Sequence, residues 1–154
     1  MTTHGVNDKR ELTALRIYVK LLRASRSVLG GVEKRLAGQG LTATQLGVLE
    51  AILHLGPLTQ RELGRKVLTS PGNMTDVVDK LEKRDLVCRA RVVEDRRRVR
   101  VELTEAGRAL IERLFPDHAG DIAATMTGLD DAELEKLEML LRKLGRGAAG
   151  TGSR

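Results

Sequence analysis

Apolar residues recur at helical spacing along most of this chain and switch to a two-residue alternation in one short stretch. Leu12, Leu15, Val19, Leu22, Leu29, Val32 and Leu36 predict a long first helix over about Lys9 to Leu36. Gly30-Gly31 weakens its later part, and Gly38-Gln39-Gly40 ends it. Thr42, with Gln45 three residues on, forms a capping box that opens a second helix. Leu46, Leu49, Ile52 and Leu53 are its buried stripe, and Gly56-Pro57 stops it. Thr59 and Glu62 repeat the box for a short third helix that turns Leu63 and Val67 inward. Ser70-Pro71, an N-cap followed by proline at the first helical position, starts a fourth. Met74, Val77, Val78 and Leu81 make its apolar face. Gly72, Asp76, Asp79 and Lys83 lie opposite, with Asn73, Thr75 and Lys80 on the flanks.

The alternation falls at Leu86 to Arg91 and at Val99 to Leu103, which predicts two paired strands around a charged turn. Thr104 is the expected N-cap of a fifth helix reaching about Thr127, which Pro116 should kink or interrupt. Asp130 and Glu133 start the last helix. There Leu134, Leu137, Leu141 and Leu144 repeat at spacings of three and four, a coiled-coil-like seam. The predicted architecture is mainly α, a helix-turn-helix followed by a small β-hairpin wing. Residues 1–8 are expected to be disordered, as is the glycine-rich tail 146–154.

Composition narrows the function. The chain has 154 residues, enough for one domain with a real core, and a formal net charge of +6 that favours a polyanionic partner. Tyr18 and Phe115 are the only aromatic residues, which counts against a stacking platform for single strands. No apolar run is long enough to span a membrane, and the start Met1-Thr2-Thr3-His4-Gly5 lacks a secretory signal. Cys88 stands alone, so no internal disulfide forms; a reducing, cytoplasmic setting fits, and the thiol reads as a half-buried small hydrophobe. His4, His54 and His118 are too scattered for a metal site. With no nucleophile–base pair and no phosphate-cradling glycine loop, neither cofactor nor catalysis is expected.

The two short helices around Leu68-Thr69-Ser70 form the helix-turn-helix, and the second is the candidate reader of DNA. Its first turns offer Ser70, Asn73 and Thr75 to base edges or phosphates, with Lys80 further along for the backbone. From Arg89 to Arg100 six arginines face Glu94 and Asp95, a local excess of four positive charges. Arg96, Arg97 and Arg98 at the hairpin tip suit a minor groove, and Asp95 is expected to orient one of them by a charge-assisted bond. A bare charge run is usually only a solvated turn. Strand pairing next to a helix-turn-helix favours DNA contact. The first and last helices carry more apolar stripe than the small winged lobe can cover, so Leu12, Leu15, Leu134, Leu137 and Leu141 are candidate dimer contacts.

The stretch Asp95-Arg96-Arg97-Arg98-Val99-Arg100-Val101-Glu102-Leu103-Thr104-Glu105-Ala106-Gly107 resembles the wing signature of the MarR (multiple antibiotic resistance regulator) family. Leu41-Thr42-Ala43-Thr44-Gln45, Leu58-Thr59-Gln60-Arg61-Glu62-Leu63 and Ser70-Pro71-Gly72-Asn73-Met74-Thr75 resemble its successive helix starts. The resemblance covers roughly residues 9–145. It implies a DNA-binding lobe over about 41–104 and dimerisation helices over about 9–36 and 105–145. It also implies a homodimeric repressor on a pseudo-palindromic duplex operator, released by a phenolic or other aromatic effector in a pocket that no residue marks. Arg97 is closest to the motif arginine. Two departures stand out. Asp85 takes the place of a glycine after the reader, where a left-handed residue is required. Asp76 takes the place of a basic residue and could accept a bond from cytosine N4. A different class remains open: an architectural protein that coats DNA without choosing a sequence, or a helical module whose wing binds an acidic protein.

Overall fold

The computed structural model of the chain describes residues 8–67, 69 and 71–151. Six α-helices and two strands follow one another among them: α1 Lys9–Leu36, α2 Ala43–Leu55, α3 Gln60–Val67, α4 Pro71–Lys83, β1 Val87–Arg91, β2 Val99–Leu103, α5 Glu105–Ala124 and α6 Asp131–Thr151. The chain divides between Ile122 and Ala123 into two compact units.

The first unit is built outward from one apolar cluster. Leu46, Val48, Leu49 and Ile52 of α2, Leu63 of α3, Met74, Val78 and Leu81 of α4, Val87 and Val101 of the strands and Ile111 of α5 are all essentially inaccessible. Local chemistry sets where each helix enters this cluster. Thr42 Oγ1 accepts from Gln45 N–H at 3.1 Å while the Gln45 side chain accepts from Thr42 N–H at 3.0 Å, the reciprocal box read in the sequence. Thr59 and Glu62 do the same at 3.2 and 2.8 Å. The strands pair antiparallel from Val87 opposite Leu103 to Arg91 opposite Val99. Leu58 adds a single bridge to Val101, with N···O distances of 3.2 and 2.7 Å, that ties the start of α3 to the hairpin.

The end of α4 is fixed by backbone geometry. Leu86 N–H donates to Leu81 O at 3.1 Å and Asp85 N–H to Glu82 O at 2.9 Å, the paired bonds of a Schellman cap. Asp85 stands at φ 55°, the left-handed conformation expected for it. The Leu86 carbonyl accepts from Thr104 N–H at 3.2 Å, and the Thr104 hydroxyl donates to Asp85 O at 2.6 Å. The same hydroxyl accepts from Gly107 N–H at 3.0 Å and so caps α5. A β-carbon on Gly107 would stand 1.8 Å from the Leu86 oxygen, so only glycine lets α5 lie against that carbonyl.

Several expectations are corrected. Asp8 is not frayed: its carboxylate accepts from Arg10 N–H at 2.6 Å and Glu11 N–H at 3.0 Å and caps α1. Pro116 does not interrupt α5, which runs through it. The carbonyl deprived of a partner belongs to Glu112, and Glu112 is exposed, so water can serve it. The helix α6 passes the expected tail start and continues through Gly147 and Gly150, all exposed. Cys88 is exposed rather than half-buried, because a two-stranded hairpin covers only the face that carries Val87. The Ser70 cap lies outside the described residues.

The second unit is α6 with its lead-in. Asp130 and Glu133 form the predicted box at 2.9 and 3.0 Å. Leu134 is half-buried, whereas Leu137, Leu141 and Leu144 are exposed.

Substituting Gly107→Ala should force α5 off the Leu86 carbonyl and cost ~3 kcal/mol, the upper range for overpacking. Urea denaturation measures it; a loss below ~0.5 kcal/mol would show that the packing there is soft.

Candidate nucleic-acid interface

Helix α4 buries Met74, Val77, Val78 and Leu81, so its other residues face outward by helical geometry. Asn73, Thr75, Asp76 and Lys80 are all on that exposed side. Two of them are steadied by α3 and the turn. Gln60 Nε2 donates to Thr75 Oγ1 at 3.0 Å, and Asn73 Nδ2 donates to Thr69 Oγ1 at 2.5 Å. Asp76 and Lys80 form an exposed ion pair at 2.7 Å, one helical turn apart, so each tempers the other's charge.

The helix taken for the reader is not cationic. It carries Asp76, Asp79 and Glu82 against Lys80 and Lys83. Asp76 is offset by Lys80, and the charge that offsets Asp79 and Glu82 comes from Arg89. Its guanidinium lies 2.6 Å from Asp79 Oδ1 and 3.3 Å from Glu82 Oε2, and donates twice to Gln60 Oε1 at 3.1 and 3.0 Å. Arg89 therefore joins β1 to α4 and to α3, and through Gln60 to Thr75. Sequence reasoning counted it as part of the wing surplus. Strand parity is the signal that separates it: Arg89 shares a face with buried Val87 and stands opposite buried Val101.

The wing tip is ordered by Asp95, through the backbone. Its carboxylate accepts from the Arg97 N–H at 3.1 Å, and its carbonyl accepts from the Arg98 N–H at 2.9 Å. The Arg98 carbonyl accepts from Val92 N–H at 2.9 Å and closes the turn. The expected bond from Asp95 to a guanidinium is absent among the described residues, because the short side chain is taken up by the turn. Arg96, Arg97 and Arg98 are left exposed on a folded tip.

Glu62 closes the α3 cap, and its two bonds from Thr59 hold its carboxyl below its ordinary value, with Arg98 and Arg100 adding to the effect. At the α2–α5 contact, His54 and Phe115 meet edge to face at 4.9 Å, and His118 Nε2 lies 4.0 Å from Glu50 Oε2. Arg35 of α1 pairs with Asp121 of α5. Among the described residues no three His, Cys, Asp or Glu side chains gather as metal ligands, and no helix is long and apolar enough to cross a membrane.

Comparison with known proteins agrees with this geometry. The profile of the MarR family matches residues 41–99, which contain α2 to the start of β2. The chain is 35% identical to the HTH-type transcriptional regulator MhqR of Bacillus subtilis, over 88% of this chain and 93% of that one. The solved structure of Bordetella bronchiseptica BpsR, whose DNA binding is regulated by 6-hydroxynicotinic acid, is 30% identical, with a TM-score of 0.77 over 84% of this chain and 92% of that one. A MarR family protein of Mycobacterium tuberculosis in complex with p-aminosalicylic acid is 27% identical, with a TM-score of 0.67 over 82% and 96%.

Two outcomes follow from these contacts. Arg89→Met should weaken duplex binding about fivefold, since two uncovered carboxylates ~8 Å from phosphates cost roughly 0.5 kcal/mol each in a watery dielectric. Adding Asp79→Asn and Glu82→Gln should restore it; no recovery would mean that Arg89 touches DNA itself. Because Glu62 has a lowered carboxyl in the folded state, its stabilising effect is present above the unfolded-state value and fades as pH falls through the folded one. Melting curves at acid pH should drop less for Glu62→Gln than for the native chain, and parallel curves would refute the link.

Proposed function

We propose the function of this chain from its membership: it belongs to the MarR family of DNA-binding transcriptional regulators. It acts as a homodimeric repressor that chooses a pseudo-palindromic operator and lets go when a small aromatic acid binds. The observation that carries this reading is the joint anchoring of α4 and the hairpin by Arg89. With β1 held to α3 and α4 in this way, we assign Asn73, Thr75 and Asp76, with the sequence-predicted Ser70, to a major groove, and Arg96, Arg97 and Arg98 to the adjacent minor groove. Lys80 adds a backbone contact once it exchanges Asp76 for a phosphate.

Apolar exposure supports the dimer. Leu15, Ile17, Tyr18, Leu22 and Leu29 of α1 and Leu137, Leu141 and Leu144 of α6 are each more than a third exposed. A second copy can cover each of these faces with its own residues, the α1 face with Leu12 and the α6 face with Leu134. Two readers then meet successive major grooves ~34 Å apart. An effector that favours a different separation lowers affinity by its preference for that state alone. The aromatic-acid class rests on the two relatives whose solved structures involve 6-hydroxynicotinic acid and p-aminosalicylic acid. A regulator of this kind works in the cytoplasm, where the chromosome lies.

Selection from a random duplex pool tests the reading. An inverted repeat should be enriched, Arg97→Ala should weaken its binding by ~1–3 kcal/mol with the dimer intact in sedimentation, and an aromatic acid that raises the melting temperature should release it. A pool that stays random would replace the regulator with a protein that coats DNA.

A further inference from the structure

Helix α3 carries a charged surface that nothing in the reading above uses. Leu63 is buried and Val67 packs against the core, so the face opposite them bears Arg61 and Arg65, one turn apart and both exposed. These two arginines, with Gln60, Gly64 and Thr69, line a shallow hollow of about 500 Å³. Neither arginine forms an ion pair among the described residues, whereas Arg89, Lys80 and Arg35 each do. Gly64 brings no side chain to the hollow, so the backbone there can be approached closely.

The position of the hollow decides its ligand. Two of its walls are bonded to the exposed side of α4: Gln60 to Thr75 and Thr69 to Asn73. A duplex with α4 in its major groove, ~12 Å wide, carries a strand of phosphates past this rim. The acids of α4 are balanced by Lys80 and Arg89, which leaves that helix little net attraction for phosphate. We propose that the α3 hollow is a backbone-phosphate subsite, in which Arg61 and Arg65 clamp the strand flanking the groove that α4 reads. The inference rests on the DNA-binding function proposed above and assigns to α3 the attraction that α4 lacks. Arginine suits the role because its planar fork donates to two phosphate oxygens at once.

The test is the salt dependence of duplex binding by the full chain. Arg61→Ala with Arg65→Ala should make the log–log slope shallower by about 1.8 per protomer, at ~0.9 for each phosphate left without its arginine. Affinity at low salt should fall at least tenfold, while preference for the selected operator over unrelated duplex stays the same, since phosphates carry no sequence. Replacing both by lysine should keep most of the slope. Lys136→Gln with Lys143→Gln removes the same charge from α6 and should leave the slope unchanged. Melting temperatures should match in every variant, because exposed helix positions accept these residues. Equal slopes for native and Arg61→Ala/Arg65→Ala protein would overturn the hollow alone. A loss shared equally by the α6 variant would reduce it to overall charge. A native chain that binds no duplex would overturn the hollow and the DNA-binding function together.

Discussion

The Leu86 carbonyl is the point on which the lobe depends. It follows the left-handed Asp85 that ends α4, and it leads directly into β1. It accepts the Thr104 N–H at the end of β2, and α5 lies against it at Gly107. Four elements thus converge on one peptide group. The reader, the wing and the helix that leaves the lobe cannot be reoriented separately without breaking a bond at this point. The Leu-Thr-x-x-Gly run at 103–107 is therefore a packing requirement: threonine bonds in both directions, and glycine leaves room.

Charge is divided among elements rather than concentrated on α4, the candidate reader. The acids Asp79 and Glu82 of α4 are balanced from behind by Arg89, so this helix contributes little net positive charge of its own. Arg96, Arg97 and Arg98 on the wing tip and Arg61 and Arg65 on α3 are exposed. Under the proposed function, this separation would leave sequence choice to the side chains of α4 and salt dependence to the other cations.

Much of this was legible from the chain because it is local. The boxes at Thr42–Gln45, Thr59–Glu62 and Asp130–Glu133 depend on residues three apart, and each formed where read. The alternation placed β2 correctly, and the missing glycine after α4 pointed to the strained Asp85. What stayed hidden is long-range or single. Strand parity turns Arg89 inward, but its partners 10 and 29 positions away are recorded by no periodicity. The Leu58–Val101 bridge is one pair without a repeat. Asp95 was expected to hold a guanidinium, but the turn claims its carboxylate first, a competition settled by local closure. Sequence reasoning assigned no role to Arg61 or Arg65, because the hollow that they line with Thr69 is a tertiary feature.

The Leu58–Val101 bridge turns the hairpin from a two-stranded flap into the edge of a three-membered ribbon whose outer strand is a single residue. A flap bends at its base and can sample a surface alone; a ribbon clamped at its midpoint transmits torque. A load on the hairpin is thus carried through the Leu58–Val101 bridge into the start of α3 instead of being absorbed by bending at the strand ends.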